Sequence, residues 1–394
     1  MQASPRTKKA LIVGCGIAGP ATAIALQRIG VEPMIYEGDR APRDEAGVFL
    51  NLAPNGVDVL KTLGVRDELI GPETPTSRLA FFNHRGRQLG EDPEAKPLLK
   101  RGPLTGALRE AAVRRGVRIQ FGKRLESVET LSGSEVLARF EDGTEAHGDL
   151  LVGCDGIRSR TRQAILPDAP APAYTGIIDS GAFAHAPSVA PTNGEMRMTF
   201  GTRAFFGYQA TASGEVYWFQ NFHEPTEGGR GSLDDVSDEE WRGKLLELHR
   251  VDEPRIAEII AATDGPIGRW PIYDLPTLPT WHREQAVLIG DAAHAMSPHA
   301  GQGASMALED AVVLAKCLRD IPATEEAFAA FEGLRRDRVE KVVAEARRTG
   351  NQKAPSNALG RGLRDLALPF FLKLGVRSAR AVTAYRVDWE ATVT

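Results

Sequence analysis

ALIVGCGIAG, Ala10 to Gly19, opens on four apolar residues and continues into three spaced glycines. Ala10 to Val13 is a short run of the kind that fills a buried parallel strand. Gly14, Gly16 and Gly19 follow at once in the spacing Gly-x-Gly-x-x-Gly. Ala21 to Ile29 then reads as a helix, with Ala23, Leu26 and Ile29 near helical spacing and Gly30 as its C-cap. Val31 to Tyr36 forms a second strand, closed by Glu37. Strand, glycine loop, helix, strand and acid make a dinucleotide-binding βαβ unit. The acid stands about 20 residues beyond the loop, as that unit requires.

Each residue type has a physical reason. Gly14 permits the tight turn, and any side chain at Gly16 would block a pyrophosphate. Gly19 lets helix and strand pack closely. The helix start offers free N–H groups and a positive dipole end to phosphates. Glu37 can accept from both ribose hydroxyls, and its charge repels a 2′-phosphate. The nucleotide held here is therefore FAD or NAD rather than NADP. The same stretch imitates a signal peptide, being uncharged to Gln27 after Arg6, Lys8 and Lys9. Its glycines and Pro20 dilute the apolarity, and it is short for a membrane span.

Composition narrows the class. Glycine supplies 40 of 394 residues, where about 7% is usual, so the surplus belongs at particular backbone positions. The net charge of −4 gives no electrostatic footprint for nucleic acid. Cys15, Cys154 and Cys317 are too few and too scattered for a disulfide framework and fit a reducing cytoplasm. The length suggests two or three domains.

Two later segments point the same way. In Asp149-Leu-Leu-Val-Gly-Cys-Asp155-Gly-Ile-Arg-Ser-Arg-Thr-Arg162 an apolar strand ends at Gly153, and Asp155-Gly156 makes the turn. Alone, it reads equally as a structural Asx turn. In the third, strand Ala286 to Ile289 ends at Gly290-Asp291. A loop with Pro298, Gly301 and Gly303 then feeds a helix from Ser305 to Leu318. A glycine-rich loop at a helix start is an anion site made of bare N–H groups. Asp291, His294 and His299 are not read as a metal site, because their spacing crosses a proline loop with no further acidic cluster.

With these three motifs in order, the chain resembles the class A flavoprotein monooxygenases, the aromatic hydroxylases of the para-hydroxybenzoate hydroxylase and tetracycline-oxidising type. GCGIAG with Glu37, CDGIRSRTR and GDAAHAMSPHAGQGASMALEDA carry the resemblance, over most of residues 8–350. It implies that Gly14, Gly16, Ile17, Ala18 and Gly19 line the FAD pyrophosphate and Glu37 the adenosine ribose. Asp291 would bind the ribityl chain. Pro298, Gly301, Gln302, Gly303 and Ala304 would face the isoalloxazine ring. Arg101 opens an Arg-x-x-Leu-x-x-x-Leu helix with Leu104 and Leu108 and would touch flavin or its phosphates. Leu125 would lie near adenine, and Asp155 would serve both FAD and the pyridine nucleotide. Arg43 is the nearest match to another family arginine, before Gly47-Val-Phe-Leu-Asn-Leu. Arg43 and Arg101 also read as solvated arginines.

The implied architecture is α/β, a Rossmann-like FAD domain with an interleaved antiparallel-sheet substrate domain and C-terminal helices. Residues 1–77, 98–172 and 280–350 would form the first. Residues 78–97 and 173–279 would form the second, and 351–394 a C-terminal helical segment. Met196 to Phe200, Phe205 to Gln209 and Val216 to Phe222 are β-rich, and Arg78 to Leu89 is expected to join them. Asp234 to Ile260 reads as helix, and Pro266 to Pro279 as a crossover. Phe206, Tyr208, Tyr217 and Phe219 are candidate walls of an aromatic pocket, though a sheet core accounts for them as well. Alternation puts Trp218 on the other face from Tyr217 and Phe219. His84 and His223 are weaker acid/base candidates. The charged run Glu332, Arg335, Arg336, Asp337, Arg338, Glu340, Lys341 reads as a solvated helix face. Gly350 to Ser356 reads as a linker, and Leu363 to Tyr385 as final helices.

The resemblance implies a cytoplasmic FAD-dependent monooxygenase. NADH or NADPH would be its transient co-substrate, and O2 and a small aromatic or polyketide-like molecule its substrates. Oxygen would transfer through a C4a-hydroperoxyflavin. Reductase, epoxidase, halogenase and non-turnover flavin-binding readings stay open, although the halogenase W-x-W-x-I-P signature is absent.

Overall fold

Strands that are apolar along their whole length must be covered on both faces. Lys9–Val13, Leu150–Gly153 and Ala286–Leu288 are such strands, and they lie side by side. The structure, a computed structural model, describes residues 7–44, 49–70, 75–131, 135–228, 231, 233–351 and 358–393. Its first sheet runs His282–Arg283, Ala286–Leu288, Leu150–Gly153, Lys9–Val13, Glu32–Glu37, Arg118–Phe121. All neighbours pair in parallel except the edge strand His282–Arg283. We call it the nucleotide sheet. Helices Ala18–Gln27, Pro54–Thr62 and Gly303–Asp320 pack together against its core.

Register decides what this sheet can do. Val13 pairs with Gly153 and with Tyr36, and Gly153 pairs with Leu288. The three motifs and Glu37 therefore leave the sheet at one carboxyl edge, where open α/β sheets take their ligands.

A seven-stranded cover sheet has the order Gly268–Asp274, Ala173–His185, Glu215–His223, Ala204–Ala210, Glu195–Phe200, Arg78–Asn83, Gln88–Asp92. Arg78–Asn83 joins it from earlier in the sequence, as expected, and is its one parallel pairing. Helices Asp238–Leu248 and Pro254–Ala261 cover one face and enclose a second hydrophobic core.

Several expectations shift. Asp234 to Ile260 is two helices, because Asp252 and Pro254 interrupt it and Pro254 starts the second. Pro266 to Pro279 contains the edge strand Gly268–Asp274, where proline is tolerated. Gly350 and Asn351 still belong to the helix Thr324–Asn351, and the rest of the expected linker, 352–356, lies outside the described residues. So do Gly47 and Val48. The final segment is a single helix, Ala358–Thr383, that contains Pro369. Among the described residues no helix is long and apolar enough to cross a membrane.

Candidate active site

The first loop shows which glycines serve the chain itself. Gly14 has φ +105°, and a Cβ there would stand 2.5 Å from the Cys154 carbonyl oxygen. A Cβ at Gly19 would lie 2.0 Å from the Gly14 oxygen. At Gly16 it would meet nothing within 4 Å. Packing therefore accounts for two of the glycines, and open space in front of the helix start is what Gly16 preserves. The Glu37 carboxylate stands at this loop, accepting from the Cys15 amide at 2.7 Å and the Asp39 amide at 2.8 Å. Ile17 caps the helix, and Ala18 is its first residue.

The motifs touch one another. Gly14 abuts Cys154 and Asp155, and a Cβ at Gly290 would lie 3.6 Å from that of Ala18. Arg162 ties the second motif to the third, donating to the Ala292 carbonyl at 2.9 Å and the Ile157 carbonyl at 2.6 Å. The Asp155 carboxylate is occupied inside its own turn. It accepts from the Ser159 hydroxyl and from both the amide and the hydroxyl of Thr161. Burial raises its pKa, and these hydrogen bonds pull the other way.

Asp291 is exposed at the head of a short helix, Asp291–His294. Pro298–Ala300 is a 3-10 turn capped by Gly301 at φ +61°. Cβ atoms at Gly301 and Gly303 would meet nothing within 4 Å. Gln302 is buried, and Ala304 is partly buried against the core. Arg101 is exposed at its helix start. Arg43 pairs with Asp39 at 2.9 Å and is largely solvated. Leu125 is buried at the start of its strand.

Beneath this loop lies a buried polar network that the sequence reading missed. Asn55 donates to the Gln302 side-chain oxygen at 3.0 Å and to Glu309 at 2.7 Å. Arg335 donates to Glu309 at 2.6 Å and to Asp310 at 2.8 Å, and Arg338 binds Glu309 twice. Asp310 also takes the Gly290 amide at 2.9 Å and His294 Nε2 at 2.6 Å. Arg335 is 0% exposed and the Arg338 side chain only 16%, which corrects the solvated-face reading for both arginines. Their helix turns these side chains inward, onto two acids of the helix Gly303–Asp320. Glu309 and Asp310, adjacent acids inside an otherwise apolar helix, were the available sign.

Burial alone would push Asp310 up, but His294, Arg335 and the Gly290 amide hold it at about 2. An unfolded aspartate titrates near 3.9. Because the folded value is the lower one, ionised Asp310 stabilises the fold above about pH 4. That contribution fades as pH falls towards 2. Melting temperature of the wild type is expected to drop over that window. In Asp310→Asn the part of the drop due to this group should be missing; an identical acid limb in both proteins would contradict it.

The four aromatic candidates divide between two faces. Cross-strand partners share a face, and Tyr208 pairs with Trp218. Phe206 stacks on Trp218 at 5.6 Å. Phe206 and Tyr208 therefore face the helices Asp238–Leu248 and Pro254–Ala261 and do not share a cavity with the other pair. Tyr217 and Phe219 face the nucleotide-sheet side, where Phe49 meets them at 6.0 and 5.9 Å. Phe183 joins at 5.4 Å from Tyr217. On the same face His299, from the third motif's loop, comes within 3.8 Å of Asp179 of the cover sheet. His223 bonds the Gly176 carbonyl at its own strand end.

A parallel sheet with a phosphate loop at one carboxyl edge, a second glycine loop beside it and an aromatic-faced sheet alongside defines a flavoprotein of the hydroxylase fold. The chain belongs to the FAD binding domain family, which matches residues 7–346. It is 30% identical over 371 residues to the aurachin C monooxygenase/isomerase of Stigmatella aurantiaca, covering 90% of this chain and 92% of that one. It is 30% identical to the 6-hydroxynicotinate 3-monooxygenase of Pseudomonas fluorescens, covering 87% and 90%. The structure of Klebsiella pneumoniae HpxO complexed with FAD and uric acid superposes with TM-score 0.81 at 25% identity, covering 96% of each chain. The protein is a FAD-dependent monooxygenase.

Proposed function

We propose that the enzyme places one oxygen atom from O2 on a small electron-rich aromatic ring, with NADH or NADPH as the electron donor. The observation that carries this reading is the seam between the sheets. The loop Pro298–Gly303, with open space at Gly301 and Gly303, meets the cover sheet through His299 and Asp179 on the face that also carries Phe49, Phe183, Tyr217 and Phe219. On this reading Gly16 would leave room for the pyrophosphate, Glu37 would hold the ribose and Asp291 the ribityl chain. The backbone of Gly301 to Gly303 would hold the flavin ring.

Bound and reduced FAD supplies the oxygen-activating chemistry. The chain's own groups do the rest. The amides of Gln302 and Gly303 would stabilise negative charge on the ring. The aromatic face orients a flat substrate, and the cover sheet excludes water. The names of the Pseudomonas fluorescens relative and of the HpxO complex point to hydroxylated nitrogen heteroaromatics as first compounds to try.

NAD(P)H oxidation by the FAD-loaded enzyme is expected to rise at least about tenfold with a true substrate, and the product to gain one oxygen. Slow, unstimulated oxidation across phenols, hydroxypyridines, purines and aromatic polyketides would instead favour a flavin-binding protein without turnover.

A further inference from the structure

Tyr208, turned away from the flavin side, ends in a pocket of its own. The pocket encloses about 400 Å³ on the helix-covered face of the cover sheet. Arg78, Arg197, Arg255, Glu195 and Tyr208 supply its main polar lining, with Ala190 and Pro191 as an apolar wall. Glu195 accepts from Arg78 at 2.7 Å and from Arg197 at 3.2 Å. Arg78 also reaches Glu91, at 4.0 Å, outside the pocket; within the lining three guanidinium groups face the single carboxylate of Glu195. Among the described residues Arg255 forms no ion pair, and its side chain reaches the Tyr208 hydroxyl. Tyr208 is 0% exposed; the Arg255 guanidinium beside its hydroxyl can only donate to it, so the hydroxyl hydrogen is left without an acceptor. Arg197 Nε is likewise buried without an acceptor. Buried donors are nearly always paired, so two unmatched donors in a cationic pocket call for an acceptor from outside the chain.

We propose that this pocket binds a small organic anion, its carboxylate or phosphate head taken by Arg255 and the Tyr208 hydroxyl and its body resting on Pro191. An arginine fork beside a hydroxyl suits the in-plane lone pairs of an oxyanion. The volume exceeds a bare ion and falls within the roughly 300–1,000 Å³ of small-molecule sites. Burial raises the phenol's pKa, keeping it a donor at neutral pH. The site is separate from the hydroxylation site, since Phe206, Tyr208 and Trp218 share the face opposite Tyr217 and Phe219.

The test is titration calorimetry on FAD-loaded protein with benzoate and phenyl phosphate, with the flavin spectrum recorded in parallel. Saturable binding that leaves the flavin spectrum unchanged is expected. Arg255→Gln should weaken it roughly tenfold or more, and Tyr208→Phe roughly threefold. The tighter of the two probes identifies the head group. FAD content and melting temperature serve as fold controls. Should Arg255→Gln fail to fold, the near-isosteric Tyr208→Phe decides alone. Absence of saturable binding for both probes, or binding that survives both substitutions, or binding that always perturbs the flavin, overturns the proposal.

Discussion

Gly16→Val is expected to give a folded protein that holds no FAD. The side chain would enter space that no protein atom occupies within 4 Å, so the fold has little reason to object. The same space lies at the start of helix Ala18–Gln27, where phosphate oxygens would take the free amides. FAD affinity should fall at least about a hundredfold, or roughly 3 kcal/mol, while melting of the FAD-free protein moves little. Gly19→Ala gives the contrasting result. Its new methyl would stand 2.0 Å from the Gly14 oxygen, so the loss should appear first in stability and expression. Calorimetric melting beside FAD titration separates the two. Normal FAD binding by Gly16→Val would remove the phosphate loop from the account.

Arg335→Met carries the second large effect. It would leave Glu309 and Asp310 buried with one counter-charge fewer, although Arg338 and the hydrogen bond between Asp310 and His294 remain. Breaking one side of a buried ion pair costs about 3–5 kcal/mol. Denaturant melts should show a loss of that size. Because Asn55 joins Glu309 to the Gln302 side chain, weaker FAD retention should accompany it. Adding Glu309→Gln and Asp310→Asn removes the stranded charges and should recover part of the stability. A single-variant loss under about 1 kcal/mol would mean that the network is solvated.

The nucleotide-binding unit was legible because its requirements are backbone requirements. Gly14 and Gly19 are glycine for steric reasons that leave a fixed spacing in the chain, and Glu37 follows at a distance set by one helix and two strands. The seven-stranded sheet was legible in part, since Arg78 to Leu89 is β-like on both sides of a turn at Arg85-Gly86. Which face each aromatic takes was not, because that depends on cross-strand register: Tyr208 follows Trp218 only once Ala204–Ala210 is paired with Glu215–His223. Arg335 was hidden for a different reason. In a charged helix the inward-turned Arg335 and Arg338 have the same local sequence texture as their solvated neighbours, and only the facing Glu309 and Asp310 reveal them. Asn55 sits in Pro54-Asn55-Gly56, which reads locally as a turn, yet Pro54 begins a helix and Asn55 is buried against Gln302. The contact between His299 and Asp179 joins residues from two separate sheets' loops and strands, so no spacing along the chain announces it.

The most direct measurement of the central claim is the fate of isotopically labelled O2. The purified yellow enzyme is supplied with NAD(P)H and whichever aromatic compound stimulates its oxidation most, and the product is weighed by mass spectrometry. One labelled oxygen atom per product molecule, with consumption of one NAD(P)H for each, is the predicted result. Product that takes its oxygen from water, or NAD(P)H consumption that yields only hydrogen peroxide with every stimulating compound, would contradict a monooxygenase.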